Sequence, residues 1–172
     1  MPNSKSSPFT IGLIQQAVAG NAAATVDAAE RAAAWILEAV QAGAKLACGG
    51  QWDGGFVWPT ILEHVPPAAA IYKEEAFAPV LLLAPYDDFE AALAEANASR
   101  FGLQAGVFTR DLGLALRAFS TLEVGAVLIN EVSSWRLDPM PYGGVKESGF
   151  GREGLRSAIA EITELRLLIC AS

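Results

Sequence analysis

The chain of 172 residues has one histidine, His64, and two cysteines, Cys48 and Cys170. A histidine-based metal site or a Ser-His-Asp relay therefore has almost nothing to draw on. The cysteines are far apart and fit no metal-ligand spacing, so no metal site is expected, and a reduced, cytoplasmic setting is the simplest expectation. Twelve basic residues against nineteen acidic ones give a net charge of −7. No Lys/Arg cluster is present to neutralise phosphates, which argues against a nucleic-acid or anionic-membrane partner. No apolar run reaches the length of a membrane span. The opening residues MPNSKSSPFT lack the apolar core of a signal peptide.

What the chain does have is apolar material. Hydrophobic residues make up 52% and charged residues 18% of it, enough for a packed core and far from a disordered composition. Residues 1–24, rich in Ser, Ala, Asn and Gly, read as a poorly defined lead-in. From Thr25 the spacing is helical: Val26, Ala29, Ala33, Ile36, Leu37 and Val40 fall on one face, and Gly43 is placed to end the helix. KLACGG and FVWPTIL read as extended pieces, the second interrupted by Pro59, which cannot donate to a ladder. PVLLLAPY is a continuous apolar run, as expected of a strand covered on both faces.

Alternation follows. DDFEAALAEANAS predicts an acid-capped helix, QAGVFT a strand, DLGLALRAFSTLE a helix capped by Asp111, and AVLIN a strand. A long loop is expected from Glu131 to about Gly151, then a helix over 153–162, and a closing strand in ELRLLIC. Strands and helices alternating at this spacing predict an α/β fold with a mostly parallel sheet and flanking helices. Ligands of such sheets bind beyond the carboxyl ends of the strands.

Two stretches invite a chemical reading. In KEEAFAP, two acids and a proline suit a solvated turn. They also suit a ligand-facing carboxylate, because one carboxylate accepts two hydroxyl hydrogens and so matches a ribose diol. Residue type alone leaves both open. MPYGGVKESGFGREG carries five glycines in fifteen residues, a backbone built for unusual φ/ψ or close approach. Its order of glycine, lysine and hydroxyl residues does not match a P-loop, and it does not follow a strand as a dinucleotide fingerprint would.

Taken together, AGAKLACGGQWDGGFVWPTIL, KEEAFAPV, EANASRFGLQAGVFTRD, LEVGAVLIN and MPYGGVKESGFGREG resemble, in order, five motifs from the C-terminal region of the aldehyde dehydrogenase superfamily. The likeness runs from about Ala28 to Ile169. It implies oxidation of an aldehyde to an acid with NAD or NADP in full-length members. It also implies that Glu75 hydrogen-bonds the nicotinamide ribose and that Phe77 contacts the nicotinamide. Ala78 stands where the motif has glycine. Tyr142 matches an aromatic lining the aldehyde pocket, and the loop from Asn130 to Pro141 matches the substrate-facing segment. Arg136 in that loop suits an anionic substrate group, as in members acting on small hydroxyaldehydes, semialdehydes or phosphorylated aldehydes; an ordinary loop arginine is the alternative.

The family's cysteine nucleophile and glutamate base lie upstream of everything matched here, as does the domain for the adenine half of the cofactor. No catalytic residue is therefore expected in this chain. Cys48 and Cys170 are expected to be plain apolar residues, and the chain alone is expected to be inactive, with weak or no cofactor binding. Two further readings are a non-catalytic remnant kept as an oligomerising module, and one piece of a split enzyme. The divisions expected are a lead-in over 1–24, a partial catalytic domain over 25–162 and a terminal oligomerisation strand over 163–172. The last, by the resemblance, implies a homo-oligomer, a dimer built on the family's subunit contact.

Overall fold

A computed structural model describes residues 9–15 and 22–171. The chain divides into two compact units, residues 1–92 and 93–172.

The first unit is built on a four-stranded sheet in the order β1-β6-β5-β2. Its strands are β1 (Phe9–Gln15), β2 (Lys45–Cys48), β5 (Thr60–Glu63) and β6 (Val80–Tyr86). A small hairpin of β3 (Trp52–Asp53) and β4 (Phe56–Val57) interrupts the run between β2 and β5. It turns on Gly54 and Gly55, both at positive φ. β1 lies within the stretch expected to be a lead-in, and pairs antiparallel with β6 over its whole length, Phe9 opposite Tyr86 and Gln15 opposite Val80.

Helix α1 (Ala22–Gln41) begins three residues earlier than its pattern predicts. Its buried face is Ala28, Ala29, Ala32, Ile36 and Ala39, while Leu37 and Val40 are exposed. The face is thus rotated from the expected one, because alanines take the contact side and let the backbone come close. Gly43, at φ 109, ends the helix: its N–H reaches Val40 O (3.1 Å) and the Ala44 N–H reaches Ala39 O (2.9 Å). This pair of bonds satisfies carbonyls that the last turn would leave open. The core gathers Ala32, Ile36, Ala39, Ala44, Leu62, Ala69, Ile71, Ala76, Ala78 and Val80.

Pro59 falls between β4 and β5, so the FVWPTIL stretch is broken there as its missing N–H requires. Thr60 is buried and fully satisfied, its hydroxyl donating to Trp58 O (2.7 Å) and accepting from Gly50 N (2.9 Å). β6 is interior to the sheet by pairing, yet only Val80 is fully buried along it, and Ala84 and Pro85 are exposed. It is therefore not covered on both faces throughout.

The boundary between the units falls inside helix α3 (Phe89–Asn97), whose start is capped by Asp88 Oδ1 accepting from Ala91 N (2.7 Å). In the second unit, β8 (Gln104–Val107), helix α4 (Leu112–Thr121) and β9 (Ala126–Ile129) form a strand–helix–strand unit with β8 and β9 parallel. Asp111 caps α4, accepting from Gly113 N (2.7 Å) and Leu114 N (3.2 Å). β7 (Phe101–Gly102) pairs antiparallel with β10 (Val145–Lys146), a short strand inside the expected long loop. Helix α5 (Leu155–Ile162) follows.

The fold is α/β with helices and mixed sheets. The expectation of a mostly parallel sheet needs correction: among the six strand pairings of the described residues, β5–β6 and β8–β9 are parallel and the other four antiparallel. The short connection through β3–β4 lets β2 and β5 run antiparallel, whereas parallel neighbours need a longer crossover such as α4. The closing strand is a second correction. Residues 163–171 form no ladder and are exposed, with Leu165, Leu167, Leu168 and Ile169 at 78–105%. A strand exists only against a partner edge, and residues 163–171 pair with none of the described strands. No helix among the described residues is long and apolar enough to cross a membrane.

Candidate functional site

The KEEAFAP turn hangs between a four-residue helix and β6. Helix α2 (Ala70–Lys73) ends where the Glu74 N–H meets Ala70 O (2.8 Å). On the far side, Val80 N donates to Ala78 O (2.8 Å) and Thr60 N to Pro79 O (2.9 Å). Ala76 and Ala78 point into the core, 3% and 6% exposed, and the residues that alternate with them, Glu75 and Phe77, face out. The alternation answers why apolar and polar residues interleave here: two methyl groups anchor the turn and two functional side chains are presented.

Glu75 is exposed, and no described residue gives its carboxylate a hydrogen bond or an ion pair. The protein surface behind it desolvates the charged form and pushes its pKa above the ordinary carboxylate value, and its solvent exposure keeps that effect small. Phe77 holds φ 48 and is 41% exposed. A left-handed conformation in a bulky residue costs about 1–3 kcal/mol and persists where surrounding structure enforces it. The turn's positive φ thus sits on Phe77, and Ala78 takes an ordinary backbone conformation with its methyl in the core. An alanine in the glycine position is accommodated.

In the second unit, the structure brings together Arg136, Tyr142 and Glu153. The Arg136 guanidinium lies 4.5 Å from the Tyr142 ring centroid and donates through Nη2 to Glu153 Oε2 at 2.9 Å. Tyr142 and Glu153 are joined by two backbone bonds, Tyr142 N to Glu153 O (3.0 Å) and Glu153 N to Tyr142 O (2.6 Å). Both line a cavity of about 510 Å3 together with Gly144, Ser148, Phe150 and Arg152. Asn130 stands apart from this cluster in role. It holds φ 58 just after β9, and its Oδ1 accepts from Thr109 N (2.9 Å), which fixes the strand ends.

The glycines of this region are set by close approach. A Cβ on Gly125 would strike Gly143 O, and one on Gly144 would strike the Ser148 side chain. Lys146 and Asn97, which carried no role in the sequence reading, tie these segments down. Lys146 Nζ donates to Asn97 O (2.7 Å) and Ser99 O (3.1 Å) at the end of α3, and pairs with Glu123 Oε2 (2.9 Å). Asn97 donates through Nδ2 to Thr121 O (2.7 Å) and accepts from Glu123 N (2.8 Å). Ser148 Oγ accepts from Gly102 N (2.9 Å). The Lys146 ammonium complements the negative C-terminal end of α3. Their spacing in sequence, up to 49 residues, leaves no local signal; the only hint was that these residues fall inside the quoted motifs.

Both cysteines are free and exposed. Cys48 is exposed on β2 with Sγ 3.7 Å from Pro59 O, and Cys170 is exposed in the terminal segment. Among the described residues, no group of three His, Cys, Asp or Glu side chains is placed to hold a metal.

The turn on β6, the strand–helix–strand unit and the glycine-rich loop are pieces of one protein class. The aldehyde dehydrogenase family model matches residues 10–168, and the chain belongs to that family. It is 45% identical to 3-sulfolactaldehyde dehydrogenase from Priestia aryabhattai over 82% of this chain and 30% of that protein. It is 43% identical to lactaldehyde dehydrogenase from Methanococcus aeolicus over 84% and 31%. Among solved structures, aldehyde dehydrogenase 21 from Physcomitrella patens, in complex with the reaction product succinate, superposes with a TM-score of 0.79 at 45% identity, covering 81% of this chain and 29% of that one. Glyceraldehyde-3-phosphate dehydrogenase GapN from Methanocaldococcus jannaschii, complexed with NADP, gives 0.75 at 39% identity over 80% and 30%. The chain thus spans about 30% of the length of the relatives it matches. The match begins at residue 10, so it takes in β1.

Proposed function

We propose that this chain is the C-terminal part of an NAD(P)-dependent enzyme that oxidises a small aldehyde carrying an acid group. The observation that carries it is the KEEAFAP turn, where a carboxylate without a described partner and a strained, exposed aromatic are held outward by two buried alanines. Glu75 is suited to accept both hydroxyls of the nicotinamide ribose, and Phe77 to flank the nicotinamide. A bound NAD(P) would supply the hydride acceptor. The chain's own part is to orient it and to exclude water from one side. Tyr142 lines the aldehyde pocket, Asn130 fixes the base of the substrate loop, and Arg136 receives the acid group of the substrate. The similarity to 3-sulfolactaldehyde and lactaldehyde dehydrogenases favours an aldehyde that is small and polar.

The test joins this chain to the preceding two-thirds of a family member and measures turnover. Glu75→Gln is expected to lower kcat at least tenfold with little change in melting temperature, since errors of positioning are expensive. Equal loss of both would place Glu75 in a structural role. The chain by itself is expected to produce no NADH from aldehydes and to bind NAD+ only in the millimolar range, about what one carboxylate–diol contact and one ring contact supply.

A second reading has its own observation. Leu165, Leu167, Leu168 and Ile169 are exposed together at the end of the chain, which favours an oligomerising module that pairs this segment with a second copy, most simply as a dimer.

A further inference from the structure

We propose that Glu153 is the resting counter-ion of an anion seat at Arg136, and that a sulfonate or carboxylate group takes its place on binding. The inference rests on the reading of Arg136 as the receiver of the substrate's acid group, and it adds a residue that must yield. Arg136 and Glu153 meet through a single bond, Nη2 to Oε2 at 2.9 Å. A guanidinium carries five N–H donors in a rigid fork that matches an acid group with two parallel bonds. One arm is thus engaged, and no other described acceptor meets the guanidinium.

The fork is nevertheless held in place. The Tyr142 ring supports its plane at 4.5 Å. Two backbone bonds lock Tyr142 to Glu153, so the carboxylate swings from a fixed base. The side chains of Arg136 and Glu153 are 44% and 64% exposed. An ion pair so open to water is weak, and an incoming acid that engages two arms instead of one can displace it. Glu153 would keep the guanidinium extended and supported while the seat is empty, and would swing to solvent when the ligand arrives. Tyr142 and Glu153, the two side chains the guanidinium touches, also line a cavity large enough for a small organic acid.

The test is an NMR titration of the chain with methanesulfonate and with succinate, following the Arg136 Nε–H signal and the Tyr142 amide. Wild type is expected to bind in the millimolar range, and Glu153→Gln about three- to fivefold more tightly, the span that an exposed ion pair commands. Glu147→Gln removes the same charge from a separate pair with Arg100 and is expected to change binding less than about 1.5-fold. Glu153→Asp, which withdraws the carboxylate by one methylene, should also tighten binding and carries the test should Glu153→Gln lose its native spectrum. Unchanged or weaker binding in the Glu153 variants, or an equal gain in Glu147→Gln, overturns the counter-ion role while the seat stands. Unaltered binding in Arg136→Ala overturns the seat itself.

Discussion

Replacing Lys146 with methionine keeps the length of the side chain and removes only its ammonium. That ammonium uses all three of its donors: Asn97 O, Ser99 O and Glu123 Oε2, at 2.7, 3.1 and 2.9 Å. The contact with Glu123 is the least valuable, because the Glu123 side chain is 63% exposed and water replaces most of it. The two carbonyls matter more. The Lys146 side chain is only 22% exposed, and hydrogen bonds to charged groups contribute about 1.5–3 kcal/mol each before rehydration of the freed carbonyls is counted. A net loss of about 2–3 kcal/mol follows. Hydrogen exchange should read this as roughly a 30- to 150-fold loss of protection at the amides of Gly102, Glu147 and Ser148, which bond Ser148 Oγ, Arg100 O and Val145 O. Lys146→Arg should recover little, since a flat fork cannot meet three acceptors gathered around one point. Protection changed by less than about threefold at all three amides would refute the argument and make Lys146 an ordinary surface cation.

Gly125→Ala should destabilise the second unit by about 2–4 kcal/mol, because the new methyl meets Gly143 O, and urea unfolding would register it as a lower midpoint. Glu75→Gln should raise the melting temperature slightly at neutral pH and not below the ordinary glutamate range. The raised pKa of Glu75 means that folding favours its protonated form, so the stability it contributes is present at low pH and lost as pH rises through the folded value; an unchanged difference across that range would contradict the burial argument. Deleting Leu165 to Ser172 should abolish any dimer seen by light scattering at tens of micromolar without lowering the helix content, since residues 163–171 make no ladder within the chain. A monomer that the deletion leaves unaltered sinks the oligomer reading.

What could be read from the sequence was local. Helix α4 follows from DLGLALRAFSTLE with Asp111 at its cap, α1 ends at Gly43 because only a residue tolerant of positive φ closes that turn, and Pro59 breaks the strand it sits in. The KEEAFAP turn was legible as a place of interest, though whether Glu75 met a partner was not. What was illegible was long-range. The pairing of β1 with β6 joins residues some seventy apart, and nothing in FTIGLIQ names its partner. The bond between Arg136 and Glu153 spans 17 positions and that between Lys146 and Asn97 spans 49. The rotation of α1 was missed for a different reason: Leu37 and Val40 score as core residues by type, whereas the close-packed side was chosen by small ones.

Six of the ten residues in the buried cluster of the first unit, among those described, are alanines: Ala32, Ala39, Ala44, Ala69, Ala76 and Ala78. A core made this way has an uneven tolerance to change. Among the ten, truncation can cost much at Ile36, Leu62, Ile71 and Val80, where there are methylenes to lose. Enlargement is resisted at the six alanines, where a larger group has nowhere to go without moving a backbone. A saturation library of this unit should therefore be depleted chiefly of alanine-to-larger variants, and most sharply at Ala76 and Ala78, where any added volume would lever Glu75 and Phe77 away from whatever they face.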